Sequence, residues 1–228
     1  MNEFYYRLIS LPLFQGLTRE DTLDMAGQAR FDFRRLDEGD TIVSEGQECQ
    51  ELIFIIQGEI LMSEPAPDGS YRLEEYIPAP CVVQPERLFG RRPRYTRNVT
   101  AASADVQLLI VSKRDVRDIL FTYTAFHLNY LNYVCSLQQT LLQQLWMPAD
   151  VRSLRQRFIG FLQFRSMHLG GRKRLIIGMN ELADSLDSTR LNISRLLHEL
   201  EAEGLVQLQR GIIDIPSFPN LLTSLPHA

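Results

Sequence analysis

The sequence predicts an α+β chain: an N-terminal β-roll of the jelly-roll kind, one long helix, and a C-terminal winged helix-turn-helix. Three observations carry this. Between Phe31 and about Ser112 the chain is a series of short alternating or apolar runs, each cut by Gly, Pro or Asp-Gly, as strands joined by tight turns are. From Thr122 to Met147 there is no Gly or Pro, so that stretch reads as a single helix. Near the C-terminus, two short capped helical segments with a tight turn between them are followed by a hairpin.

The chain has 228 residues, and at roughly 150 residues per domain two small domains are expected. Hydrophobic residues make up 45% and charged residues 23%, which leaves enough apolar surface for a core and no compositional case for disorder. No apolar run approaches the ~18 residues of a membrane span. The opening MNEFYYRLISLPLF lacks the basic end and apolar core of a signal peptide. The expected location is the cytoplasm, with no membrane partner. Cys49, Cys81 and Cys135 are odd in number and widely spaced, so neither a disulfide framework nor a zinc or iron–sulfur site is expected.

Residues 1–30 read as short helices, with Thr18 ahead of an acidic first turn, as a helix start should be. In the strand region Gly39, Gly46, Gly58 and Gly69 punctuate the runs, and Asp68-Gly69 is a hairpin turn because Gly tolerates positive φ. Helical signals return at Lys113. About 24 residues of the long helix would span roughly 36 Å. Leu131, Val134, Gln138, Leu141 and Leu145 keep a heptad-like stripe along it. So long a helix with so little charge must cover its apolar faces, and a partner helix in a homodimer is the simplest cover. Pro148 then interrupts, and a further helix is expected up to Gly170-Gly171. The expected division is therefore 1–121 for the β-roll with its flanking helices, 122–147 for the dimerisation helix and 148–228 for the winged helix-turn-helix.

The net charge of −4 at first speaks against a nucleic-acid partner. Splitting it is informative: residues 1–149 hold 14 basic and 20 acidic side chains, net −6, while residues 150–228 hold 10 and 8, net +2. The C-terminal part is mildly basic, which permits DNA binding without demanding it.

In NELADSLDSTRLNISRLLHELEAEGLVQLQRGIIDIP, Asn180 can cap a first short helix. Asp187-Ser188 forms a turn, and Thr189 can cap a second helix that stops at Gly204. LVQLQ, Arg210-Gly211 and IIDI then make a wing. The recognition helix of such a motif presents its N-terminal side chains to major-groove base edges. Arg190, Leu191, Asn192 and Arg195 are the expected base readers, since Arg suits guanine and Asn suits adenine. Ser188, Thr189, Ser194 and Arg210 are the expected phosphate contacts. The bland alternative is a solvated face with Glu199 nearby.

These segments, in this order, resemble the CRP/FNR family of bacterial transcription regulators, the catabolite activator protein family. The likeness runs through LPLFQGLTREDTLDMA, EGDTIVSEGQECQELIFIIQGEI, VQLLIVSKRDVRDIL and NELADSLDSTRLNISRLLHELEAEGLV, nearly the full length. It implies a β-roll of the cyclic-nucleotide-binding kind, a dimerising helix and a winged helix-turn-helix that binds two-fold operator DNA. RNA polymerase would be a further partner of an activator. Carried over, the family's base-reading Arg, Glu and Arg fall on Arg190, Leu191 and Arg195; Leu191 departs and offers only apolar contact, such as a thymine methyl accepts. The resemblance also implies an effector pocket around Glu86, Arg97, Asn98 and Thr140. There Pro85-Glu86 replaces Gly-Glu, and proline removes a backbone donor. Arg97-Asn98 stands for Arg-Ser, and Leu141-Leu142 offer no polar partner to a base. A small-molecule effector other than cyclic AMP, or none, is therefore expected. A mutual ion pair of Glu86 and Arg97 without ligand is the bland reading. Arg87, Arg91, Arg92, Arg94 and Arg97 form a basic segment without an assigned role. His127 is the one axial haem ligand on offer, and a surface or interface role suits it better.

Competing classes fare worse. A cupin-like metalloenzyme needs clustered histidines and carboxylates, and residues 1–126 contain no histidine. No P-loop or GxSxG motif is present, so neither a catalytic nor a metal site is expected. Two alternatives to an effector-controlled regulator remain: an effector-independent regulator, and a protein-interaction module that does not bind DNA.

Overall fold

The computed structural model describes residues 2–145 and 153–225. The expected boundary at Met147-Pro148 lies outside the described residues. The chain divides into two compact units, Met1–Ile60 with Pro78–Gln139, and Leu61–Ile77 with Thr140–Ala228. The compact units are cut differently from the sequence division: the long helix is shared between them at Gln139/Thr140. Leu61–Ile77, expected within the roll, groups with the C-terminal half.

The first unit opens with α1 (Asn2–Ile9) and α2 (Arg19–Gln28). Thr18 and Asp21 form a reciprocal capping box at the start of α2, which fixes its first turn. The strands of the roll follow as β1 (Phe31–Leu36), β2 (Thr41–Val43), β3 (Glu51–Gln57), β4 (Glu59–Pro65), β5 (Tyr71–Pro78), β6 (Cys81–Val83), β7 (Asn98–Ala101) and β8 (Val106–Ser112). One sheet has the order β1-β8-β3-β6 and is antiparallel throughout. Its registers set Phe33 opposite Leu109 and Ile53 opposite Ile110; β2 runs antiparallel to β7. At the β3 end Gly58 has φ +91, and a Cβ there would stand 2.9 Å from Val106 Cγ2. Only glycine lets the chain turn that close to β8.

Phe14 anchors the core of this unit. Its ring meets Phe54 at 5.2 Å and Phe126 at 5.1 Å edge to face, a geometry that aligns ring edge with ring face. Phe126 belongs to the long helix α4 (Thr124–Leu145), which follows α3 (Lys113–Thr122) after a break at Tyr123. The long helix thus begins two residues later than its sequence suggests.

The second unit contains α5 (Leu154–Arg165), β9 (Lys173–Ile177), α6 (Met179–Ser185), α7 (Arg190–Ala202), β10 (Gln207–Gln209), β11 (Ile212–Ile215) and α8 (Phe218–Thr223). Its core joins Phe158, Leu162, Leu175, Leu182, Ile193, Leu197, Ile213 and Phe218 with Leu73 of β5. Its strands lie in the order β10-β11-β9-β5-β4, so the roll hairpin extends the sheet of the wing. Two expectations are corrected here. The helix α5 ends at Arg165 instead of running to Gly170-Gly171, because the next residues wrap a buried charge: Glu75 accepts from the backbone N–H of Met167 and His168, and Lys173 draws in the His168 carbonyl. The helix α6 is capped by Gly178 and not by Asn180. A Cβ at Gly178 would meet the Glu181 carboxylate, whose Oε2 would lie 2.0 Å away.

Candidate nucleic-acid interface and ligand turn

The helix-turn-helix is held from inside and displays outward. Asp187 takes a left-handed conformation, φ 45, that turns the chain between α6 and α7. The Ser188 N–H donates to the Ala183 carbonyl at 3.0 Å. Arg157 of α5 donates through Nη1 to the carbonyls of Leu186 (2.6 Å) and Asp187 (3.0 Å). The turn is therefore clamped by a residue outside the motif, one that sequence reading missed because nothing in the spacing of α5 marks it. The Thr189 hydroxyl accepts from the Asn192 N–H at 3.3 Å and caps α7. At the other end Gly204, φ +74, closes the helix. Arg155 pairs there with both Glu203 oxygens at 2.7 and 2.6 Å. That guanidinium lowers the Glu203 carboxyl below its ordinary range.

Helical spacing buries Ile193, Leu196, Leu197 and Leu200, leaving Arg190, Leu191, Asn192 and Arg195 exposed at the start of α7. Leu191 is 61% exposed. Of the expected phosphate contacts, Thr189 and Arg210 are exposed and Ser188 is half-buried. Ser194 is half-buried and, like Arg210, lines a cavity of about 260 Å³ between α7 and the wing, with His198, Leu208 and Gln209. Gln209 and His198 join the face without having been singled out in the sequence.

The roll has a second distinctive place, the short 3-10 turn Pro85–Arg87. Gln84 before it is buried and left-handed, φ 39. Its Oε1 accepts from the Thr96 N–H (3.0 Å) and hydroxyl (2.9 Å). Among the described residues, Gln84 Nε2 and Glu86 Oε2 are buried polar atoms without a hydrogen-bond partner. Burial pushes the Glu86 carboxyl above its ordinary value, against the smaller pull of Arg87 and Arg97. Glu86 and Arg87 lie 3.4 Å apart, and Arg97 is 6% exposed. From α4, the Tyr130 hydroxyl donates to the Pro85 carbonyl at 2.6 Å. Burial, with Glu86 nearby, also raises the Tyr133 hydroxyl. Gln84, Tyr130 and Tyr133 were missed in the sequence, since only the fold brings them to Glu86. Asn98 is corrected out of this set: it is exposed, and its Oδ1 accepts from the Glu45 N–H at 2.9 Å. Thr140 is half-buried within the second unit. Arg91, Arg92 and Arg94 are exposed, and Arg94 donates to the Gly46 carbonyl at 2.7 Å. His127 is exposed as well.

Along α4 the exposed positions Leu128, Leu131, Cys135, Gln138 and Leu142 alternate by three and four residues, a heptad seam. Leu131 and Gln138 of the expected stripe lie on it, whereas Val134 is half-buried. The side chains of Leu141 and Leu145 lie outside the described residues. No described helix is long and apolar enough to cross a membrane.

The family model of the cyclic nucleotide-binding domain matches residues 33–123, and that of the Crp-like helix-turn-helix domain matches residues 156–223. Among solved structures, a transcriptional regulator of the Crp/Fnr family from Eubacterium rectale is 22% identical, with TM-score 0.50, over 94% of this chain and 97% of that one. The sensor domain of the transcriptional regulator DNR from Pseudomonas aeruginosa is 17% identical, with TM-score 0.50, over 67% and 94%. The catabolite activator protein of Thermus thermophilus is 20% identical, with TM-score 0.48, over 92% and 96%. The first two likenesses bear on the fold alone. No curated protein matches the sequence. With a cyclic nucleotide-binding domain and a Crp-like helix-turn-helix matched in that order over more than two thirds of its length, the chain belongs to the CRP/FNR family of transcription regulators.

Proposed function

We propose that the protein is a homodimeric, sequence-specific regulator that binds operator DNA in the cytoplasm and performs no catalytic step. The observation that carries this is the exposed start of α7, where Arg190, Leu191, Asn192 and Arg195 face outward above a buried apolar stripe and beside the wing. Arg190 and Arg195 read guanine edges, Asn192 an adenine edge and Leu191 a thymine methyl. Ser188, Thr189, Ser194 and Arg210 meet phosphates. In an activator, the DNA-bound dimer would also meet RNA polymerase. Selection of sites from random duplex DNA tests the reading: two-fold sites with a steep salt dependence are expected. Arg190→Ala should then lose about 1–3 kcal/mol of discrimination at one base of each half-site. Equal weakening on all sequences would place Arg190 on a phosphate.

The dimer forms along the α4 seam, where Leu128, Leu131 and Leu142 are about half exposed. In a parallel two-fold pairing of this seam, Cys135 meets its own copy. A short bis-maleimide reagent should capture a covalent dimer of the wild type and none of Cys135→Ser. A seam that pairs elsewhere leaves both uncaptured.

The roll takes a small ligand other than cyclic AMP. The unpartnered Glu86 and Gln84 atoms support a ligand that supplies both a donor and an acceptor, while Pro85 withholds a backbone donor from a phosphate. A regulator without an effector is the second reading; site selection that enriches the same DNA equally with and without cyclic nucleotides and cell metabolite extract would favour it.

A further inference from the structure

The second unit holds a charged pair that DNA reading does not use. Glu75 on β5 and Lys173 on β9 are 1% and 0% exposed and 2.7 Å apart. Glu75 also accepts from the Met167 and His168 N–H groups at 2.9 and 3.1 Å. Lys173 donates to the His168 carbonyl at 2.6 Å and lies 4.9 Å from the Phe218 ring centre. Around the pair, β5 is zipped onto β9 with Leu73 opposite Leu175 and Glu75 opposite Lys173. The Tyr76 N–H continues the seam to the Arg172 carbonyl at 3.0 Å. Gly171, φ +75, makes this closeness possible, since a Cβ there would stand 2.5 Å from the Tyr76 carbonyl oxygen.

Detaching β5 would strip Lys173 of its counter-charge and open the edge of β9, both unfavourable. Release of the hairpin is therefore costly. On its other edge β9 pairs with β11 of the wing, so it lies between the hairpin and the wing. Beyond the latch the chain runs from Glu75 through β6 directly into the Glu86 turn.

We infer that the Glu75–Lys173 pair is a latch that docks the β4–β5 hairpin onto the winged-helix sheet, and that the docked hairpin is the DNA-competent arrangement through which the ligand turn acts on the wing. The inference rests on the DNA reading proposed above. Its test uses the full-length protein, a duplex selected by the wild type, and hydrogen exchange of the β9 amides. Glu75→Gln and Gly171→Ala should each speed β9 exchange and weaken DNA binding by about tenfold or more, the scale of a buried charge left unpaired. Arg72 and Ile176 stand opposite one another in the seam. Cysteines at both, in a Cys135→Ser background that also carries Glu75→Gln, should restore slow exchange and binding when oxidised, and lose both when reduced. Wild-type exchange and affinity in Glu75→Gln and Gly171→Ala would overturn the latch, as would tighter DNA binding by either or an oxidised form no better than the reduced one. Failure of the wild type to select any duplex overturns the DNA reading instead, and β9 exchange still judges the latch.

Discussion

The helix-turn-helix and the Gln84–Arg87 turn are built in opposite ways. In the former, backbone groups are tied inward by Arg157, Ser188 and Thr189, while the side chains proposed to read bases stand in water. In the latter, the backbone bends into a left-handed residue, and it is two side-chain atoms, Gln84 Nε2 and Glu86 Oε2, that are buried without a hydrogen-bond partner. A duplex is large and of fixed shape, so a rigid helix with charges kept hydrated until contact suits it. A small molecule must be surrounded, and its polar partners have to wait out of solvent for it.

Removing the clamp on the reading side should have the larger effect. Arg157→Met leaves two turn carbonyls without their donor and should cost about 1–3 kcal/mol of stability in the second unit, read by thermal melting. DNA affinity should fall with it, while the slope of affinity against salt stays that of the wild type, because Arg157 binds the turn and not a phosphate. A slope reduced by about one would move Arg157 into the phosphate set and blur the contrast.

On the ligand side the expected effect is smaller and opposite in sign. A carboxyl raised by burial favours the folded state only while protonated, and that favour is lost as pH rises through its folded value. Above that value the charged Glu86 is a burden on stability. Glu86→Gln should therefore melt slightly higher than wild type at pH 7, and the gap should close as pH falls below about 4.3, the ordinary Glu value. A variant that melts lower at pH 7 would mean that the carboxylate is held by partners, as the reading side chains of an ion pair would be.

The contrast also explains what could be read in advance. The second helix of the motif is legible to within a residue because its signals are local: Thr189 at one end, Gly204 at the other, and apolar spacing between. The Gln84–Arg87 turn of the roll is only partly legible. Glu86 and Arg97 stood out, but Tyr130 and Gln84 meet Glu86 through strand and helix packing that no window of sequence contains, and Asn98 faces away to Glu45. On α4, periodicity found an apolar stripe but could not tell which face the helix spends on its own unit, hence Val134 in place of Cys135. The end of helix α5 is hidden from the sequence because the charge that caps the residues after it, Glu75, lies about ninety residues away in the chain.

The chain crosses between the two units at three places, near residues 60, 77 and 139. This bears on how such regulators can be recombined. A reading head moved to another protein by a single cut near residue 148 would travel without β4 and β5, and β9 would arrive with a bare edge ready to pair with any extended segment. A transplantable cassette of this protein is a two-piece object, and exchanging its sensor means exchanging everything except a hairpin that belongs, by its contacts, to the other half.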